Sequence, residues 1–459
     1  MARLRFFAAL AVVGLAGTAV GRPNLVLILA DDCTWRDLGC YGGQAHTPHL
    51  DRFCSEGMRL TRCFQAAPMC SPTRHNLLTG LYPVRSGAYP NHTFVRDGVK
   101  SLGHYLGDLG YRVALSGKRH IAPLEAFPFE YSGGANPDFA AIDNLMSECS
   151  AGGQPLCLFV CSNEPHSPWN KGDASAYPPR SLELPPYRQD SPALRKAYSK
   201  YLAEITYFDS QVGRTLTLLE KHGLVENTVV VVLSEQGNGF PFAKWTCYDA
   251  GLRSAMMVRW PGHVKLGSES DALVEYVDVA PTFIEMAEGT LPAELEGKSL
   301  VPLLRGEVDR HKEHVFGVQT SNGIYAFDGL YGRRSVRSER YHLIHNLGPS
   351  ARFDNGISKT RYFADWRRAA EAGDDDAAAI IERFHQPPEF ELFDTDEDPY
   401  ELRNLADDPG QAERLAELRE RLAAWMESQG DEGPATEAAA LSRMLNGNPA
   451  ARAAARARN

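Results

Sequence analysis

Four separated stretches of this chain share one design: an apolar run of strand length that breaks abruptly into polar or ionisable residues. "NLVLILADD" ends in Asp31 and Asp32, and "YRVALSGKRH" ends in Lys118, Arg119 and His120. "PLCLFVCSNEPH" ends in His166, and "NTVVVVLSEQGN" carries Glu235 and Gln236. Unbroken Val/Ile/Leu runs suit strands buried on both faces, as in a parallel sheet. Helical patterns lie between them. Thr47-Pro48 supplies an N-cap and first position for a helix through Cys54. "SLGHYLGDLG" is a short amphipathic helix, and Ser191 to His222 is a long one with Gly223 placed to stop it. Alternating strands and helices specify an α/β class with helices on both faces of the sheet. In such sheets ligands gather at the carboxyl ends of the strands, where all four polar clusters stand.

The character changes after about residue 315. "HVFGVQT", "GRRSVRS" and "RYHLIHNL" read as short strands of a smaller antiparallel sheet, and residues 363–385 read as helical. "ELFDTDEDPYELRNLADDP" is turn-rich, and a helix is expected from Gln411 to about Ser428. Residues 22–315 are therefore read as the main domain and 316–430 as a C-terminal subdomain. Residues 431–459, rich in Ala and Arg, are read as a frayed helix or disordered tail. At the other end, Arg3 and Arg5 precede "FFAALAVVGLAGTAV" and the small residues Ala19 and Gly21, which reads 1–21 as a secretory signal peptide. Export to a periplasmic, secreted or lysosome-like compartment is expected, and no later segment is long and apolar enough to span a membrane. The net charge of −10 argues against a general nucleic-acid binder. The nine cysteines show neither a disulfide framework nor zinc spacing. Cys157 and Cys161 read as core, and the odd number leaves at least one thiol unpaired, for which Cys70 is the choice.

Asp31, Asp32, Glu235 and Gln236 offer only oxygen ligands, a set that favours a hard cation, Ca²⁺ ahead of Mg²⁺, over zinc. Adjacent carboxylates at a strand end repel strongly unless a cation lies between them. The plainer alternative makes Asp32 a helix cap and Glu235 a loop residue. Lys118, His120, His166 and Lys244, gathered beside a divalent metal, make a trap for a tetrahedral anion such as sulfate or phosphate. Each of these taken singly is equally compatible with a structural or solvated role. Cys70 stands in "PMCSPTRHNLLTG" before a helix, with Arg74 one turn below. Both features lower a thiol pKa and favour a thiolate. A thiolate is nevertheless poorly matched to a hard metal, for which an oxygen nucleophile is better suited.

At these residues the chain resembles the type I sulfatases of the alkaline phosphatase superfamily. "CSPTR" matches their Cys-x-Pro-x-Arg signature, and "LLTGLYP", "LVLILADD", "GKRH", "EPHSPW", "YVDVAPTFIEMA", "GKSLVPLLRG" and "LFDTDEDPYELRNLA" extend the likeness over nearly the whole mature chain. The resemblance implies an α/β/α sandwich around a large, mostly parallel sheet, with a smaller C-terminal antiparallel sheet. It implies that a maturase oxidises Cys70 to formylglycine, whose hydrated aldehyde is the oxygen nucleophile. Asp31, Asp32, Glu235, Gln236 and the modified Cys70 would hold one Ca²⁺, with Mg²⁺ as the alternative. Arg74 would hold the formylglycine, while Lys118, Lys244 and His166 would face the bound sulfate. Glu235 would take the proton of the attacking hydroxyl, His166 would protonate the leaving group, and His120 would deprotonate the second hydroxyl so that sulfate is expelled.

One departure stands out. Most sulfatases carry Ser-Asp-(Asn/His)-Gly where this chain has "SEQG", so ligand type is kept but each arm is a methylene longer. "GKRHIAPLEAFPFEY", "LPPYRQDSPALRK" and "GNGFPF" are similar to the N-sulfoglucosamine sulfohydrolase branch, which acts on heparan-type glucosamine. An O-sulfatase acting on another sulfated polysaccharide, a phosphonate or phosphodiester hydrolase of the same superfamily, and a non-catalytic glycan-binding protein are the alternatives.

Overall fold

The computed structural model describes residues 22–445. The stretch read as a signal peptide and residues 446–459 of the expected tail lie outside the described residues. The four apolar runs are strands β1 (Asn24–Leu29), β3 (Arg112–Gly117), β5 (Leu156–Cys161) and β6 (Thr228–Leu233). The others in this sheet are β2 (Met58–Phe64), β4 (Glu130–Ser132), β7 (Arg253–Arg259), β8 (Ser268–Ser270) and β9 (Val274–Glu275). They form a nine-stranded sheet of order 4-3-5-1-6-7-2-8, with β9 also on β2, in which β7 alone runs against the rest. The order brings the four runs side by side as 3-5-1-6, all parallel, so their polar tails meet along one edge.

Both faces of the sheet are covered, which is why the strands read as unbroken apolar runs. Val26, Ile28 and Ala30 point into one core with the helices Pro48–Ser55, Phe139–Gly152 and Pro192–Lys221. Leu25, Leu27 and Leu29 point into the other, against Leu77 and Leu78 of the helix Cys70–Thr79 and against the helices Leu102–Asp108 and Val279–Met286. The expected helix at Thr47-Pro48 does start at Pro48, but the Thr47 hydroxyl bonds the Asp51 side chain (2.9 Å) rather than a helix N–H.

The second sheet is antiparallel, β10 (Val315–Gln319), β11 (Arg333–Arg337), β12 (Tyr341–Asn346) and β13 (Phe390–Asp394), in that order. β13 opens the segment read as turn-rich; it is a strand because Leu392 and Phe393 are buried while its backbone pairs with β12. The expected helical stretch 363–385 is two helices, Arg361–Glu371 and Asp375–His385. Gly373 breaks it at φ +95°, and Asp374 caps the second helix by accepting from the Ala377 N–H at 2.9 Å. Val336, Leu343 and Leu392 pack with Leu418, Leu422 and Trp425 of the helix Ala412–Gln429.

The expectation of a loose tail from residue 431 fails over 431–445. Arg334, fully buried on β11, is held by two carboxylates from this stretch. Its guanidinium bonds both oxygens of Asp431, and Nη1 donates to Glu437 Oε1 at 3.0 Å. Glu437 Oε2 in turn accepts from Thr320 Oγ1 at 2.5 Å. Removing one member of a buried ion pair strands its partner at a cost of roughly 3–5 kcal/mol. Glu437→Ala should therefore lower the unfolding free energy by up to that order, read as a lower urea midpoint at unchanged m; an unchanged midpoint would show that the stretch only rests on the surface.

Candidate active site

The helix Cys70–Thr79 follows β2 and presents its N-terminus at the same edge as the four polar clusters. Every one of its residues is buried. A helix buried all round must satisfy its polar side chains internally, and Thr73, Asn76 and His75 each find a backbone partner. Thr73 Oγ1 donates to Ala67 O (2.6 Å), Asn76 Nδ2 to Leu81 O (2.9 Å), and His75 bridges Ser71 O and Ala122. Burial lowers the His75 pKa to about 4, so it serves as a neutral strut. Cys70 and Arg74 are thereby fixed.

Around Cys70 the strand ends converge. Ligand atoms of Asp31, Asp32, Cys70 and Glu235 all lie within 4.8 Å of one another. Gln236 Nε2 donates to Asp32 Oδ1 (2.6 Å) and Cys70 Sγ (2.9 Å). Asp31 Oδ1, both Glu235 carboxylate oxygens and Gln236 Oε1 are buried and accept no well-aligned hydrogen bond. Under-satisfied acceptors of this kind are costly, and the converging carboxylates of Asp31, Asp32 and Glu235 supply oxygen ligands of the kind that fit a hard cation. Asp32 is in the left-handed region at φ +60°, which is uncommon for a side chain and turns it inward from β1.

Cations close the other side. Arg74 Nε lies 2.8 Å from Glu235 Oε1, and Arg74 Nη1 donates to Lys118 O at 2.7 Å. Lys118 Nζ pairs with Asp31 Oδ2, and Lys244 Nζ donates to Asp32 Oδ2 at 2.6 Å. Lys244 lies between two left-handed residues, Phe242 (φ +66°) and Trp245 (φ +68°). Strain held at a buried ionic group suits a functional position. His166 Nε2 stands 3.5 Å from Asp32 Oδ2, and its Nδ1 bonds Ser167 O at 2.6 Å.

Burial dominates the proton affinities. It pushes the Cys70 thiol up to about 12, Lys244 and Arg74 opposing it and Asp32 and Glu235 adding to it. Burial thus opposes the thiolate that the helix terminus and Arg74 favour. Burial raises Glu235 despite Arg74 and Lys118, and lowers Lys118 to about 8. Asp32 pulls the His166 pKa upward, but burial with Lys244 and Lys118 outweighs it and leaves the imidazole below its ordinary value.

Nine of the ten residues singled out from sequence thus share one buried cluster. His120 stands apart. Its Nε2 is 2.9 Å from His92 Nδ1 while its Nδ1 has no partner. Burial, Lys118, His92 and Arg74 hold it well below the usual range. His92 carried no signal in sequence: it sits in a loop, at φ +54°, and meets His120 only through the fold. Asn238, two residues past Gln236, was also missed. It accepts from the Lys244 N–H (3.1 Å), donates to Asp37 Oδ2 (3.0 Å) and accepts from Arg188 Nη2 (2.8 Å), which fixes the loop carrying Lys244. Its place in the "SEQGN" run was the one available hint.

Comparison with known proteins identifies relatives of this chain. The Sulfatase family profile matches residues 23–290, and the profile described as N-sulphoglucosamine sulphohydrolase, C-terminal, matches 237–353. An ulvan-active sulfatase of Formosa agariphila is 30% identical over 89% of this chain and 81% of its own length. The N-sulphoglucosamine sulphohydrolase of Homo sapiens is 28% identical over 90% of this chain and 92% of its own. A solved structure in complex with its substrate D-glucosamine-2-N,6-O-disulfate superposes with a TM-score of 0.67 at 20% identity, covering 90% of this chain and 99% of that one. A structure from work on glycosaminoglycan metabolism by Bacteroides thetaiotaomicron reaches 0.70 at 22% identity, covering 92% and 100%. At that identity the structures speak to the fold alone, while the profile spans more than half of the residues: the chain belongs to the sulfatase family of hydrolases.

Proposed function

We propose that this chain removes sulfate from a sulfated saccharide, using a formylglycine made from Cys70 and one Ca²⁺ held by Asp31, Asp32, Glu235, Gln236 and residue 70. The observation that carries this reading is the set of under-satisfied oxygens packed around Cys70 and faced by Arg74, Lys118 and Lys244. When present, the modified residue would supply a hydrated aldehyde as oxygen nucleophile and the cation would lower the cost of its negative charge. Lys118 and Lys244 then face sulfate oxygens, and an arriving anion draws them off the aspartates they now pair with. Glu235, raised by burial where Asp32 is lowered, is a stronger base than Asp32 and takes a proton. His166 at the rim gives a proton to the atom that leaves sulfur; the incoming anion favours the imidazolium that burial and the two lysines disfavour. His120, kept neutral, is available as the second base.

For the substrate, N-sulfoglucosamine is the first reading, supported by the match over 237–353 and by the human relative. An O-sulfated polysaccharide is the second, supported by the ulvan-active relative. The amino-terminal "FFAALAVVGLAGTAV" supports export, in keeping with glycans outside the cytoplasm. Desulfation of a panel of defined N- and O-sulfated saccharides, read by mass, decides between the two.

Protein made with a maturase should yield a Cys70 peptide carrying an aldehyde, and Cys70→Ala should abolish turnover while the fold persists; full turnover in that variant would overturn the covalent reading. Chelated protein should gain thermal stability on titration with Ca²⁺ or Mg²⁺ and regain activity with it. Restoration by Zn²⁺ alone would refute the oxygen-ligand assignment. Glu235→Gln should reduce kcat by about 10²–10⁴ with KM changed only a few-fold. His166→Ala should penalise poor leaving groups far more than activated aryl sulfates, and equal losses on both would remove His166 as the acid.

A further inference from the structure

The loop that carries His166 runs on into a second, separate cavity. Three residues past His166, Trp169 lines a cleft of about 860 Å³ between the N-terminal turns of the helix Pro192–Lys221 and the helix Arg361–Glu371. Three residues span at most about 10–11 Å, so cleft and strand-end cluster are close neighbours. Lys196 and Lys200, one helical turn apart, stand on one wall, and Arg361 stands on the other. All three side chains are exposed, and none has a carboxylate partner among the described residues. The single acid of the lining, Asp365, is already paired with Arg368. Three unpaired cations around a concavity make a positive field with nothing in the protein to answer it.

The apolar side is aromatic and rigid. Trp169 stacks on Phe240 (ring centroids 4.8 Å apart, planes at 17°), and its indole N–H donates to Pro165 O at 2.9 Å. Tyr362 lies against the same Phe240 at 5.6 Å and donates through its hydroxyl to Gly239 O at 3.3 Å. One edge of this floor is therefore tied to the loop of His166 and the other to the loop of Gln236. A fixed indole face is an apolar platform for the C–H face of a sugar ring.

The proposed chemistry sets the direction of the chain. The atom that His166 protonates belongs to the sugar, so the sugar lies on the His166 side of the cluster. A longer glycan leaving that side meets Trp169 next. We infer that the cleft is an accessory subsite for further sulfated sugar units of the same glycan, with Trp169 carrying a ring and Lys196, Lys200 and Arg361 taking its sulfates. This rests on the sulfatase reading for its direction, though not for its charge or shape.

Binding can be tested apart from catalysis. A heparin-derived hexasaccharide, its fully desulfated counterpart and the full-length Cys70→Ala protein are used in titration calorimetry. The sulfated hexasaccharide should bind, the desulfated one at least tenfold more weakly. Lys196→Gln/Lys200→Gln/Arg361→Gln should weaken the sulfated ligand at least tenfold and flatten its salt dependence. In the mature enzyme, the same triple variant and Trp169→Ala should each lower, at least fivefold, the ratio of kcat/KM on the hexasaccharide to kcat/KM on 4-nitrophenyl sulfate. The Cys70→Ala protein failing to bind the hexasaccharide, or the triple variant binding it within twofold of that parent, would overturn the subsite. Absent turnover of 4-nitrophenyl sulfate by the mature wild type would instead count against the sulfatase reading, while the calorimetry would still accept or reject the subsite.

Discussion

Buried charge at the strand ends is the constraint that the rest of this molecule is arranged to meet. Asp31, Asp32 and Glu235 place three carboxylates out of reach of water, and Arg74, Lys118 and Lys244 bring three cations against them. Desolvating any of these alone would cost several kcal/mol, so none is tolerable without the others. The balance holds only before a ligand arrives. On the proposed reading, a divalent cation at these oxygens would leave an excess of positive charge on the side of the lysines, matched to an anionic sulfate.

Holding six charges in register needs rigid supports, and they come from both sheets. β1, β3, β5 and β6 fix the carboxyl ends from which Asp31, Lys118, His166 and Glu235 project. The second sheet does the same for the loop of Lys244. Arg333 on β11 donates to Trp245 O at 3.3 Å, and Tyr248 donates to Glu391 on β13 at 2.7 Å. β10 reaches the segment before Cys70 itself, Val318 N–H bonding Ala66 O at 2.8 Å. The smaller sheet is thus a buttress for the site rather than an appendage, and a lost anchor there, such as Arg334 with Asp431 and Glu437, would be felt at the loop ends.

What could be read in the sequence follows from how local its cause is. Four strands of the large sheet, β1, β3, β5 and β6, were legible because burial on both faces writes itself as an apolar run, and the turn into polar residues marks the strand end. Which runs were neighbours was not legible: the order 3-5-1-6 depends on crossovers that no single segment encodes. His92 was invisible because its contact with His120 joins two loops 28 residues apart. Residues 431–445 were misread because Ala-rich composition hides Asp431 and Glu437, whose partner Arg334 lies 97 and 103 residues upstream. The proton affinity of Cys70 was hidden for a related reason. Helix terminus and Arg74 are visible in sequence, whereas the complete burial that overrides them is a property of the whole fold.

The "SEQG" segment shows how a longer arm is accommodated. The ladder between β6 and β7 continues one residue past the strand, with Ser234 N–H bonding Ala255 O at 3.1 Å and Ser234 Oγ accepting from the Ala255 N–H at 2.8 Å. Glu235 is therefore the first residue free of the sheet. Gly237 then packs so closely on the Ala250 carbonyl that a Cβ there would sit 1.9 Å from its oxygen, which only glycine permits. Pinned between Ser234 and Gly237, the two intervening residues have little backbone freedom, and reach must come from the side chains. With the extra methylene, Glu235 comes to 2.8 Å from Arg74 and Gln236 to 2.6 Å from Asp32 and 2.9 Å from Cys70. A single C–C bond is about 1.5 Å, so an Asp-Asn pair on this backbone would stop short of every one of those partners. Glu and Gln here are the lengths that a loop held back by Gly237 requires.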